Sequence, residues 1–215
     1  MTAIIPAILT ESFEDLRRQI RRTDGLFPYL HLDVMDGKFV HKTSFHEVEK
    51  IPEIGTDLQY ELHLMVNDPI AEMKKWTHIT HVFRVIIHRE APASVEDCHA
   101  FAREHGWEFG MALNPDTPLE VAIPYFKDLD YLLFMTVYPG RQGSPFQEKV
   151  LAKIQQFLTH KGHPKFGVDG SINSSTINNF RNLNPDVLNV GSALMLAPNI
   201  EKAYLELKDQ LQSIC

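Results

Sequence analysis

The chain has 215 residues, of which 44% are hydrophobic and 23% charged, and its formal net charge is -7. This composition is that of an ordinary globular protein, and the lack of a basic cluster argues against a nucleic-acid partner. No apolar run approaches the ~20 residues of a membrane span, the N-terminus does not read as a signal peptide, and two cysteines (Cys98 and Cys215) favour a reducing cytoplasm.

Short apolar runs alternate with amphipathic segments along the chain. This rhythm predicts strands at Ala3–Leu9, Tyr29–Val34, Gln59–Val66, Val82–His88, Phe109–Leu113, Tyr131–Val137, Lys165–Asp169 and Val187–Val190. It predicts helices at Phe13–Arg22 after Ser12, weakly within Phe45–Pro52, then at Pro69–Trp76, Ser94–His105, Thr117–Pro124, Phe146–Thr159, after Ser171 or Asn173, and at Ile200–Leu211.

Strands that alternate with helices indicate a parallel sheet. Eight such units in 215 residues fit a (β/α)₈ TIM barrel, and we expect residues 1–215 to form one domain of this kind. The alternative is an open, doubly wound sheet.

Four side chains that can bind a metal lie toward the ends of three predicted strands. His31 and Asp33 are two residues apart on one strand, so they face the same side of the sheet. His63 lies near the end of the third strand and Asp169 ends the seventh. At the mouth of a barrel they would converge, and two imidazoles with two carboxylates suit Zn²⁺, Fe²⁺ or Mn²⁺ better than Ca²⁺ or Mg²⁺. Taken singly, each could equally be a structural residue.

Glycine-containing turns follow the last three strands, where barrels often bind phosphate with backbone N–H groups. The alternative is that the glycines only form tight turns. Three methionines at strand ends either fill the core or line the pocket, and His88, which ends the fourth strand, could lie at its rim. The candidate phosphate-binding residues are Gly140, Arg141, Gln142, Gly143, Gly170, Ser171, Gly191 and Ser192, and the methionines are Met35, Met65 and Met135.

Six stretches occur in order along the chain: HLDVMDGKFV, ELHLMV, MALNPDTPLE, FMTVYPG, GVDGSI and NVGSAL. Through them, and over essentially its whole length, the sequence resembles the ribulose-phosphate 3-epimerase family. The resemblance implies a (β/α)₈ barrel that inverts C3 of a ketose phosphate and interconverts D-ribulose 5-phosphate and D-xylulose 5-phosphate. It also implies one divalent ion per subunit (Zn, Fe, Mn or Co) and a homo-oligomer.

The resemblance assigns roles by position. The family's metal ligands match His31, Asp33, His63 and Asp169, and its acid–base pair matches Asp33 and Asp169. Its flexible methionines match the three methionines named above, and its phosphate loops match residues 140–143, 170–171 and 191–192.

The sequence departs from the family pattern where the family contacts substrate. Ala7, a residue of the expected pocket wall, stands where the family has serine. Residues 41–46 differ from the family pattern, and residues 138–144 contain one glycine fewer and an additional arginine, Arg141. Arg141 could clamp a phosphate or point into solvent. These changes keep open a 3-epimerase of a hexulose 6-phosphate such as allulose 6-phosphate, and a sugar-phosphate-binding paralogue without catalysis. A keto-hexulose-phosphate decarboxylase is disfavoured, because Asp33-Val34-Met35-Asp36 lacks the lysine of Asp-x-Lys-x-x-Asp.

Overall fold

Eight parallel strands form the centre of the molecule in the computed structural model, which describes residues 2–140 and 143–212. Each strand pairs with the next in chain order, and β8 pairs with β1 from Ala3↔Val187 to Pro6↔Val190, which closes the sheet. The predicted (β/α)₈ barrel is therefore confirmed, and the open sheet is wrong. The strands are β1 Ala3–Ile8, β2 Tyr29–Met35, β3 Gln59–Met65, β4 Val82–His88, β5 Glu108–Leu113, β6 Tyr131–Met135, β7 Lys165–Asp169 and β8 Val187–Val190.

Helices cover the outside of the barrel, and within the described residues none is long and apolar enough to cross a membrane. Two begin at serine side chains predicted to cap them: Ser12 accepts from the Asp15 N–H and Ser94 from the Asp97 N–H. The α-helices are α1 Phe13–Thr23, α2 Pro69–Trp76, α3 Val95–Glu104, α4 Lys149–Leu158, α5 Ser192–Met195 and α6 Ile200–Gln212. Short 3₁₀ helices lie at Val48–Ile54, Leu119–Val121, Ile123–Tyr125 and Ile177–Phe180.

The predicted helices after β2, β5 and β7 are replaced by these 3₁₀ helices. The first, Val48–Ile54, contains Pro52, which lacks the N–H that an α-helix interior needs. After β7 the chain is not capped at Ser171, whose φ of 49° lies in the left-handed region, and the helical turn begins only at Ile177. The short helix α5 was not predicted.

The strands alternate between two environments, as a period of two requires. Along β2, Leu30, Leu32 and Val34 pack outward in the main hydrophobic core under the helices, so the residues between them face the barrel interior. Tyr131, at the start of β6, occupies the space beside Gly167 in the barrel interior. A Cβ on residue 167 would lie 1.7 Å from the Tyr131 hydroxyl oxygen. The interior near the carboxyl ends of the strands is polar, and the candidate site lies there.

Candidate active site

The four predicted metal ligands converge at the carboxyl ends of β2, β3 and β7. One donor atom from each of His31, Asp33, His63 and Asp169 lies within 4.8 Å of those of the other three. His63 Nδ1 is 2.8 Å from Asp33 Oδ1 and 3.8 Å from Asp169 Oδ2. Since ligand bonds are about 2.1 Å long, donors on opposite sides of one ion lie about 4.2 Å apart. Small side-chain shifts would let the four residues share a single ion.

His31 presents a nitrogen without a partner to this cluster. Its Nδ1 lies 2.6 Å from Glu61 Oε1, and both side chains are fully buried. Burial opposes ionisation of Glu61, but His31 and Arg84 outweigh it and lower the pKa of Glu61 to about 2, so its carboxylate only accepts and Nδ1 carries the hydrogen. His31 Nε2 is buried, has no hydrogen-bond partner among the described residues, and lies 3.3 Å from Asp33 Oδ1. Such an orphaned nitrogen fits a metal ligand.

His63 is held from behind by His88 and Glu90. The His63 and His88 Nε2 atoms are 2.8 Å apart, and His88 Nδ1 is 3.2 Å from Glu90 Oε2. Burial lowers the pKa of His88 to about 4, so the ring is neutral near pH 7. Because the Glu90 carboxylate only accepts, His88 donates from Nδ1 and accepts at Nε2, which makes His63 Nε2 a donor. With Nε2 engaged by His88, His63 would bind an ion through Nδ1, the atom that lies 2.8 Å from Asp33 Oδ1.

The position of His88 differs from the expected rim. It is buried behind His63, which it contacts from the neighbouring strand β4, and it does not lie at the mouth of the pocket. The sequence signal was available, since His88 ends β4 and Glu90 follows two residues later.

The two carboxylates of the cluster have pKa values moved in opposite directions. Burial opposes ionisation of Asp33, but the neighbouring His31 and His63 rings outweigh it and lower the pKa of Asp33 below its usual range. Burial, followed by the charge of Asp33, raises the pKa of Asp169 to about 6. One carboxylate is thus held ionised beside another that retains a proton into the weakly acidic range, which is the pattern of an acid–base pair.

A line of buried polar side chains below the cluster was not predicted from the sequence. Arg84 forms an ion pair with Glu61 and a second with Glu108, 2.6 Å from Arg84 Nη2 to Glu108 Oε2. Asn189 donates from Nδ2 to Glu61 Oε1 over 3.1 Å. Glu61 therefore receives hydrogen bonds from His31, Arg84 and Asn189, and it anchors the floor of the site.

A cavity opens above the cluster, between the loops that follow β6, β7 and β8. The candidate phosphate residues that the structure describes all line it, and so do Ala7, Met65 and Met135. Met35 instead lines a neighbouring groove with Thr10 and Lys42, and Arg141 and Gln142 lie outside the described residues. The lining includes Gly140, Gly143, Gly170, Ser171, Gly191, Ser192, Asp33, Asp169 and Asn189.

Two of these glycines are required by the backbone itself. Gly170 has φ +115°, and a Cβ there would lie 2.5 Å from Val137 Cγ2. Gly140 has φ +106° and faces Val40. The turns therefore require glycine at positions 140 and 170, and the same turns bring main chain to the wall of the cavity.

This fold and site define a barrel enzyme whose carboxylates and imidazoles face a cavity under glycine-containing loops at the ends of the last strands. The sequence model of the ribulose-phosphate 3-epimerase family matches residues 3–195, and the chain belongs to this family. Membership places it among the isomerases that act on carbohydrate phosphates.

Two relatives match nearly the whole chain. The ribulose-phosphate 3-epimerase of Bacillus subtilis (strain 168) is 31% identical over 97% of this chain and 99% of that protein. The ribulose-phosphate 3-epimerase of Schizosaccharomyces pombe (strain 972 / ATCC 24843) is 28% identical over 97% of this chain and 93% of that protein.

Solved structures support the fold. A crystal structure of 3-hexulose-6-phosphate synthase superposes with a TM-score of 0.69 at 14% identity, covering 98% of this chain and 99% of that one. Orotidine 5'-monophosphate decarboxylase from Sulfolobus solfataricus gives a TM-score of 0.68 at 9% identity, covering 99% of this chain and 100% of that one. At such identities the likeness establishes the barrel alone.

Proposed function

We propose that this protein interconverts D-ribulose 5-phosphate and D-xylulose 5-phosphate by inverting C3, with one divalent ion held by His31, Asp33, His63 and Asp169. Family membership and the names of its relatives support the reaction. The observation that carries the proposal is the convergence of these four donor groups within 4.8 Å, two of them carboxylates with oppositely shifted pKa values.

The chemistry explains why this set of residues is needed. The proton on C3 is only weakly acidic, although it lies beside a carbonyl group. A bound divalent ion such as Zn²⁺, Fe²⁺, Mn²⁺ or Co²⁺ would supply positive charge to stabilise the negative charge that develops on the sugar oxygens. Inversion further requires one group that removes the proton from one face and another that returns a proton to the opposite face.

Asp33 and Asp169 serve as these two groups. In one direction the ionised Asp33 carboxylate takes the C3 proton, and the electron pair of the C–H bond passes into an enediolate. Protonated Asp169 then delivers its proton to C3 from the other side, and the two residues exchange roles in the reverse reaction. Both carboxylates line the cavity in which the sugar would bind, which supports this assignment.

The remaining cavity residues bind and shield the sugar. Main chain at Gly143, Gly170 and Gly191 lines the wall where the phosphate would bind, while Met65 and Met135 contribute apolar surface that excludes water. We also propose that residues 1–215 form a single domain, that the protein acts in the cytoplasm, and that it assembles as a homo-oligomer.

A hexulose 6-phosphate is the second candidate substrate. The observation that favours it is Ala7, which lines the cavity and carries no hydroxyl group. If Ala7→Ser raises kcat/KM for ribulose 5-phosphate, the substrate-contacting wall has been altered from a pentulose site. An unchanged kcat/KM would show that position 7 does not set the preference.

The direct test follows the C3 hydrogen by NMR in D₂O with metal-loaded protein and a panel of ketose 5- and 6-phosphates. We expect inversion with deuterium incorporation at C3 of ribulose 5-phosphate, loss on chelation, and recovery with a divalent ion. Faster turnover of a hexulose 6-phosphate would favour the second candidate. Phosphate-ester binding without exchange on any substrate would identify a non-catalytic paralogue.

A further inference from the structure

Asn189 has an unsatisfied amide oxygen at the floor of the cavity. The residue lies on β8, is 1% exposed, and lines the same cavity as Asp33 and Asp169. Its Oδ1 is buried and has no hydrogen-bond partner among the described residues. Asn189 is also the register partner of Asp169 on β7, which places it directly beside one of the two proposed catalytic carboxylates.

The orientation of the amide follows from its other contact. Nδ2 lies 3.1 Å from Glu61 Oε1, and the Glu61 carboxylate can only accept. The nitrogen must therefore face Glu61, which leaves the oxygen as the amide atom available to a ligand. Glu61 is fixed in turn by His31 and Arg84, so the amide is held before any ligand binds.

A buried acceptor without a partner destabilises a folded protein. A ligand hydroxyl in the cavity would remove that penalty on binding. The neighbouring wall residue, Ala7, offers no polar side-chain atom to compete for such a hydroxyl, and Ile5, the register partner of Asn189 on β1, is apolar. Neither side chain of β1 beside Asn189 therefore competes with a ligand for this acceptor.

We propose that Asn189 is a specificity-determining residue that accepts a hydrogen bond from a hydroxyl group of the sugar chain. This inference rests on the proposed function insofar as it assumes a sugar phosphate in the cavity. Asn189 would select polyhydroxylated phosphates over phosphates of the same length that lack the hydroxyl, because the analogue would leave Oδ1 unpaired.

The test measures binding rather than turnover, with xylitol 5-phosphate as a polyol phosphate that cannot be epimerised. Calorimetric Kd values are compared for wild type, Asn189→Leu, which keeps the volume but removes both polar atoms, and the smaller Asn189→Ala. Inorganic phosphate serves as a second ligand that reports the phosphate loops alone. Asn114→Ala is the matched control, since Asn114 Oδ1 is also unpaired among the described residues but does not line the cavity.

We expect either Asn189 variant that folds to raise the Kd of xylitol 5-phosphate about tenfold or more, with little change for phosphate or for Mn²⁺. The control should bind xylitol 5-phosphate like wild type. The proposal is overturned if the Kd of xylitol 5-phosphate changes less than twofold in folded variants. It is equally overturned if the Kd values of phosphate or Mn²⁺ rise by the same factor, because Asn189 would then only support Glu61.

Failure of the proposed function gives a different result. Wild-type protein that binds xylitol 5-phosphate through Asn189 but exchanges no C3 hydrogen of ribulose 5-phosphate would refute the epimerase assignment and leave this inference standing. Wild-type protein that does not bind xylitol 5-phosphate would overturn the inference itself.

Discussion

His63 and His88 face each other with their Nε2 atoms 2.8 Å apart, on the side of His63 away from the candidate metal cluster. This contact fixes which nitrogen of His63 meets the cluster, because only Nδ1 remains free to lie 2.8 Å from Asp33 Oδ1. The contact depends on Glu90, which receives the hydrogen of His88 Nδ1. Metal ligands commonly depend on such outer partners for their tautomer and orientation.

Glu90→Ala should weaken metal binding without touching a ligand. Without the carboxylate, the neutral His88 ring can take either tautomer, so the acceptor that engages His63 Nε2 and leaves Nδ1 for an ion is no longer fixed. We expect the Kd of Zn²⁺ or Mn²⁺, measured by competition with a chelating dye, to rise about 10–100-fold. Glu90→Gln, which keeps an acceptor, should have a smaller effect.

Thr117→Val provides the control for that experiment. Thr117 donates its hydroxyl to the other oxygen of Glu90, so the substitution disturbs the same loop but leaves the His88 contact in place. Metal affinity should stay near wild type in this variant. An equal loss of metal affinity in both variants, or no loss in Glu90→Ala, would contradict the proposal that Glu90 orients His63 through His88.

Asp169→Asn should abolish inversion while the barrel stays folded. An asparagine neither holds a proton to donate nor accepts one from carbon, so one face of the sugar loses its catalyst, and the loss is expected to be about 10²–10⁴-fold or greater. Asp33 remains, so one epimer should still exchange its C3 hydrogen with D₂O without inverting. Circular dichroism and metal affinity would check fold and ion binding, and near-normal inversion would disprove the two-base assignment.

The convergence of the four candidate ligands was predictable because strand periodicity and barrel geometry act together. His31 and Asp33 share a face whatever the register, and the carboxyl ends of parallel barrel strands must meet around one mouth. The glycines after β6, β7 and β8 followed from the same geometry. Which ring nitrogen of each histidine faces the cluster could not be predicted, because it depends on contacts with Glu61 and His88 on neighbouring strands.

The polar floor, formed by Glu61, Arg84 and Asn189, was not predicted from the sequence, because the role of each residue depends on its partners on other strands. Arg84 lies within the apolar run VFRVIIH and Asn189 within VLNV. A single polar residue in such a run does not show which side chain it contacts. Glu61 faces Arg84 only because β3 and β4 pair in a register that shifts between Tyr60 and Glu61. That shift is a tertiary feature, as are the 3₁₀ helices that replace predicted helices after three strands.

Arg84→Met should destabilise the barrel strongly, because it removes one positive partner of the buried Glu61 carboxylate. Breaking one side of a buried ion pair typically lowers the free energy of unfolding by about 3–5 kcal/mol. The double variant Arg84→Met with Glu61→Gln should recover part of that loss. Urea unfolding in the presence of a chelator measures both without a contribution from bound metal.

The exposed pair Arg103–Asp130 provides the comparison. Its atoms are 3.0 Å apart, but the two side chains are 48% and 30% exposed, so Arg103→Met should change stability by about 1 kcal/mol or less. If Arg84→Met is no more costly than Arg103→Met, the polar floor does not stabilise the fold.

Metal binding should release a proton from the protein near pH 8. Burial disfavours the charged ring of His31, but Asp33 and Glu61 outweigh it and raise its pKa to about 10, so the metal-free ring is protonated at pH 8. An ion can use His31 Nε2 only after that proton leaves, and affinity should therefore rise with pH up to about 10. Calorimetry at pH 8 in two buffers of different ionisation enthalpy counts the released protons. A count near zero would mean that His31 is either neutral in the free protein or not a ligand, and His31→Gln should separate these cases, since metal affinity would survive only in the second.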